Sequence, residues 1–72
     1  MTVPKSTIQS VLIAREHYTK QKAIDWIINH SFKYYKLDTT QHYYRFRQFN
    51  PSEYKSHRTI LLKPGIEAII EY

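Results

Sequence analysis

The chain has 72 residues and carries eleven Lys and Arg against six Asp and Glu, a formal net charge of +5. A chain this short buries only about 60% of the surface its unfolded form exposes, which disfavours a deep enclosed active site and favours a binding surface. The absence of Cys excludes disulfides and thiolate metal sites, and no apolar run approaches the ~20 residues of a membrane span.

The elements follow from periodicity and punctuation. Residues 1–7 are expected to be a flexible start, with Pro4 opposing regular structure; 8–72 form one domain. Ile8 to Ala14 predicts a strand. Its run Val11-Leu12-Ile13-Ala14 points to a central position with both faces covered. Thr19 is the predicted N-cap of a helix over about 20–30, with Tyr18 packing on Ala23 as a staple. Ala23, Trp26, Ile27 and His30 share one face of that helix, flanked by Ile24 and Ile28. Trp26 is read as a core residue and His30 as a capping or hydrogen-bonding one. No Gly closes the helix, so Asn29, His30 or Ser31 must take the left-handed conformation.

Phe32 to Leu37 predicts a second strand, Asp38 to Gln41 a turn, and His42 to Phe49 a third strand, the pair forming a hairpin. Asn50-Pro51-Ser52-Glu53 breaks the run, with a short helical turn through Tyr54. Arg58 to Lys63 is a strand, Pro64-Gly65 a turn, and Ile66 to Tyr72 the last strand. That last strand alternates, with Ile66, Ala68, Ile70 and Tyr72 on one face and Glu67, Ile69 and Glu71 on the other. The order β-α-β-β-β-β predicts an α+β domain: a mostly antiparallel sheet with one helix packed on one face. The other face is left open or covered by a partner.

Phe32 to Phe49 holds seven of the eleven aromatic residues, interleaved with Lys33, Lys36, Arg45 and Arg47. Residues two apart in a strand share a face. With Tyr44 and Phe46 turned to the helix, Tyr43, Arg45 and Arg47 fall on the open face. Single-stranded nucleic acid is held by stacking on rings beside cations that meet phosphates, and this face has both. Lys33, Lys36, Lys55 and Arg58 are expected to support it with phosphate contacts. The same residues also suit a ligand-free sheet, because Tyr is a strong strand former and cross-strand Tyr–Arg pairs are stabilising.

The four His (His17, His30, His42, His57) lack metal-ligand spacing, and His17 beside Glu16 is expected to face away from it. No nucleophile elbow, phosphate-binding loop or paired-carboxylate motif appears. A non-enzymatic module with no metal and no cofactor is therefore expected.

Ser10-Val11-Leu12-Ile13, Tyr18-Thr19 with Ala23-Ile24-Asp25-Trp26-Ile27, and His30 to Lys33-Tyr34 occur in this order. They are followed by Tyr43-Tyr44-Arg45-Phe46-Arg47-Gln48, Arg58-Thr59, and Gly65-Ile66-Glu67 leading into an apolar strand. This combination resembles a small, largely uncharacterised domain family of large eukaryotic double-stranded DNA viruses and some phages. The resemblance spans about 8–72. It implies a viral protein acting inside an infected host cell, in the cytoplasm or nucleus, and it implies no activity. Where that pattern has Gly before Phe32-Lys33-Tyr34, this chain has Ser31.

The functional expectation is a binding module that contacts nucleic acid through Tyr43, Arg45 and Arg47. The alternative is a protein-interaction or self-associating module with a host or virion partner. In that version the last strand, ending at Tyr72, pairs as an edge with another chain.

Overall fold

A computed structural model describes residues 7–49 and 56–72. Residues 1–6, the predicted turn through Tyr54, and Lys55 lie outside the described residues. The elements are β1 (Thr7–Ala14), α1 (Lys20–Asn29), β2 (Leu37–Thr39), β3 (Tyr43–Arg47), β4 (His57–Lys63) and β5 (Ile66–Glu71). The strands form one antiparallel sheet in the order β2-β3-β1-β5-β4, with the helix on one side, so the α+β fold class is as expected.

β1 is the central strand, as its apolar run predicted. Among the described residues α1 packs against it on one face. Register partners in an antiparallel sheet share a face. Val11 and Ile13 pair with Phe46 and Tyr44 on one side and with Ala68 and Ile66 on the other. These positions meet Ala23 and Ile27 of α1 in the buried cluster. Leu12 points the opposite way and is only half-buried, between Arg45 and Glu67 in register. The four-residue apolar run thus reflects a central position in the sheet.

A bulge reconciles Ile8 with this pattern. The β1–β5 register slips between Ile8 and Ser10, so Ile8 pairs with Ile70 on the helix side while Val11 also faces the helix. The bulged pair is polar and buried. Ser10 Oγ donates to Gln9 Oε1 at 2.8 Å, and Gln9 Nε2 donates to the Phe49 carbonyl at 2.7 Å.

The helix begins and ends as its sequence predicts. The Thr19 hydroxyl oxygen accepts from the Lys22 amide at 3.2 Å, satisfying one of the free donors of the first turn. At the far end Ser31 takes the left-handed conformation, φ 62°. Its amide bonds the Ile28 carbonyl and the Phe32 amide bonds the Ile27 carbonyl, which is the Schellman arrangement usually closed by Gly. Ala23 and Ile27 are fully buried. Trp26 is only half-buried, at the rim of the core, stacked on His30 at 3.9 Å and on Phe32 at 6.1 Å. The short helix centres its stripe on Ala23 and Ile27, which leaves Trp26 on the flank. His30 Nδ1 lies 2.8 Å from the Trp26 carbonyl, the hydrogen-bonding role expected of it.

The predicted strand at Phe32 to Leu37 forms only from Leu37, and it runs on to Thr39 where a turn was expected. The cause is Gln48. Its side-chain amide accepts from the Lys33 amide at 2.8 Å and donates to the Lys33 carbonyl at 3.1 Å. A side chain thus takes the backbone bonds that a neighbouring strand would take. Ladder bonding resumes where the Arg47 amide donates to the Lys36 carbonyl at 3.0 Å. The turn itself is closed by Thr40, whose backbone and side chain both bond Tyr43. Arg15 holds the same turn, donating from Nη1 to the Thr40 carbonyl at 2.6 Å with its guanidinium 5.7 Å from the Tyr44 ring centre.

β5 is not an edge. It lies between β1 and β4, and Tyr72 exchanges backbone bonds with Ser56. Among the described strands the edges are β2 and β4, so the expectation that the last strand offers a free edge is corrected: β5 is interior. Sequence order alone cannot show this, because β5 inserts beside β1 by a contact between the two ends of the described chain.

Candidate nucleic-acid interface

The registers define the face away from the helix row by row. Asp38, Arg45, Leu12, Glu67 and Leu61 form one row across the five strands. Arg47, Ser10, Ile69 and Thr59 form the next. Tyr43 lies beside Ala14, beyond Arg45, and Thr7, Glu71 and His57 form the row at the opposite end. Tyr43, Arg45 and Arg47 therefore share the side of the sheet away from the helix, as period-two reasoning predicted. All three are half-buried rather than free in solvent.

The two arginines recur every second residue, about 6.8 Å apart along the strand. Arg47 Nη2 lies 3.7 Å from Asp38 Oδ2, a loose and partly exposed pair. The Nε atoms of both arginines are buried without a hydrogen-bond partner among the described residues. Guanidinium groups are suited to paired bonds with an anion's oxygens, and an unpaired buried donor costs about 1–3 kcal/mol.

The face is electrically divided. Its β3 side carries Arg45 and Arg47, while its β5 side carries Glu67 and Glu71. Glu71 is buried and lies 2.9 Å from His57 Nε2. An anion that followed β3 would meet the arginines; one laid across the sheet would meet Glu67. The concentration of acid in the last strand was visible in the sequence, but its placement on the same face as the arginines was not.

The other expected contributors are scattered. Lys36 belongs with the cluster: Tyr35, Lys36, Leu37, Asp38 and Arg47 line a concavity of 320 Å³. Lys33 is exposed, with its backbone held by Gln48. Arg58 pairs with Ile70, whose other partner is Ile8, so it lies on the helix side of the sheet and away from Tyr43. Lys55 lies outside the described residues. Sequence reasoning passed over Tyr34 and Tyr35, which are exposed beside Lys36. The signal available was two adjacent Tyr flanked by Lys in a segment with no apolar alternation.

Glu16 and His17, expected to face apart, lie in a turn instead and approach to 3.4 Å at an exposed position. Among the described residues no group of three or more His, Asp or Glu side chains could hold a metal ion. No helix there is long and apolar enough to cross a membrane. Compared with protein-family models, curated proteins and solved structures, the chain finds no match.

Proposed function

We propose that the protein is a small non-enzymatic binding module that contacts nucleic acid along β3. One observation carries this reading: Tyr43, Arg45 and Arg47 line the face that the helix leaves uncovered. The arginines would meet phosphates, with Lys36 and Lys33 extending the positive path beyond the β2 edge. Arg58, on the other side of the sheet, takes no part. The resemblance to the viral domain family would place this module inside an infected host cell.

Fluorescence anisotropy with labelled single- and double-stranded oligonucleotides at low salt tests the proposal. Arg45→Ala combined with Arg47→Ala should weaken binding strongly, whereas Arg58→Ala should leave it unchanged. Equal losses from both variants would reduce the interaction to general charge attraction.

A second reading, protein interaction, is favoured by β4. This edge strand has seven residues, only Ile60 of which is other than exposed, and Leu61 is 67% exposed. Long apolar edges are templates for strand addition by a second copy or a partner protein. A mass by light scattering that rises with concentration would support the self-associating version. A strictly monomeric chain would remove it.

A further inference from the structure

We infer that Tyr34 and Tyr35 form a stacking subsite for an unpaired base, which makes the interface selective for single-stranded over duplex nucleic acid. The inference rests on the nucleic-acid reading of the β3 face and specifies which form of nucleic acid it takes.

The argument begins with how the two rings are presented. The left-handed Ser31 turns the chain off the helix. Gln48 then clamps the backbone of Lys33 on both its amide and its carbonyl. The Lys36 carbonyl is held by the Arg47 amide. Tyr34 and Tyr35 lie between these anchors in an arch that belongs to no strand. Both ends of the arch are fixed to β3 or to the residue that follows it, so its position relative to Arg47 is set by hydrogen bonds.

The rings have no core role. Tyr34 is 52% and Tyr35 65% exposed, and they meet each other edge to face with centroids 6.0 Å apart. Tyr44, by contrast, packs on the buried cluster. Tyr43, the ring expected to stack, is half-buried on the sheet. Among the described residues near Arg47 and Lys36, the exposed rings are therefore those of the arch.

The concavity beside Tyr35 has the polarity a base requires. Lys36 and Arg47 supply cations at its rim, and Asp38 contributes a carboxylate. A phosphate placed inside would face that carboxylate, whereas adenine, cytosine and guanine carry amino groups from which it can accept hydrogen bonds. The arrangement puts the base against Tyr35 and the phosphates on Arg47, Arg45 and Lys36. A duplex keeps its base faces stacked inside and has none to offer the rings, so single strands are preferred.

The test compares a mixed-sequence single strand with its duplex at low salt. The wild-type chain should bind the single strand more tightly. Tyr34→Ala with Tyr35→Ala should weaken single-strand binding about 5- to 150-fold, the range for one stacked base, and leave duplex binding unchanged. Tyr35→Phe should retain affinity, because stacking needs the ring and not the hydroxyl. In the unsubstituted protein, the ring protons of Tyr34 and Tyr35 should shift upfield in NMR spectra when the single strand is added, which requires no variant to fold. If the double Tyr variant binds like wild type while the Arg45/Arg47 variant does not, or if the ring protons stay still, the subsite is wrong and the β3 interface stands. If the wild-type chain binds neither oligonucleotide, both fall.

Discussion

Ser31 shows how one residue can be read from sequence and still carry a cost. A helix with no Gly at its end must place another residue in the left-handed region, and Ser31 does so at φ 62°. That conformation costs an L-residue about 1–2 kcal/mol. Ser31→Gly should therefore stabilise the fold by about 1 kcal/mol, less than the full strain because Gly loses more entropy on folding; a urea titration would show the midpoint rise. Gly65 is the opposite case. It has φ 86°, and an added Cβ would lie 3.1 Å from the Tyr18 ring. Gly65→Ala should lower stability by about 1–2 kcal/mol, visible in the same titration. Thr19, Ser31 and Gly65 were legible because caps and turns depend on local chain geometry. Gln48 and Arg15 were not. Each acts on backbone far along the chain, Gln48 on Lys33 and Arg15 on Thr40, and no local pattern announces such a bond.

Among the elements, the helix, β3 and the Pro64-Gly65 hairpin matched their predicted places, because each follows a strong period or a strong breaker. The strand expected over Phe32 to Leu37 shrank to an arch followed by β2. Its Tyr and Phe residues have high strand propensity, but propensity yields when a side chain supplies the backbone bonds. Gln48→Ala tests this directly. It leaves the Lys33 amide and carbonyl without their partner and should cost about 2 kcal/mol. The Lys33 amide should also exchange with solvent hydrogen faster in the variant than in the wild type. Strand neighbours were the least legible feature. The alternation of β5 correctly assigned its two faces, yet nothing in it tells whether its flank is free. Only the pairing with β1 shows that it is interior and that β4 forms the edge.

Over the whole molecule, the two faces of the sheet differ in what they bury. Phe46 is fully buried with Val11 and Ile27, while Arg45, one position before it on β3, turns to the open side. Phe46→Ala should cost about 3–5 kcal/mol, a large share of the roughly 4–10 kcal/mol available to a domain of this size. Arg45→Ala should cost less than about 1 kcal/mol, as thermal or urea unfolding would show. The candidate site was legible as far as period two reaches: Tyr43, Arg45 and Arg47 share a face. The side of Arg58 was not legible, because it depends on how β4 registers against β5. Nor was the proximity of Glu67, since β1 separates it from the arginines in the sheet but not in the sequence. Glu67 confines the proposed interface to the β3 side, so a small number of cations should account for the electrostatics. The most direct measurement is the salt dependence of single-strand affinity for the wild-type chain and for Arg45→Ala with Arg47→Ala. Each phosphate contact contributes a slope of about −0.7 in log affinity against log salt. The wild-type slope should be about −2 to −3, for three or four contacts, and the double variant should bind weakly with a slope shallower by about 1.4. No binding at low salt, or identical slopes for the two proteins, would contradict the account.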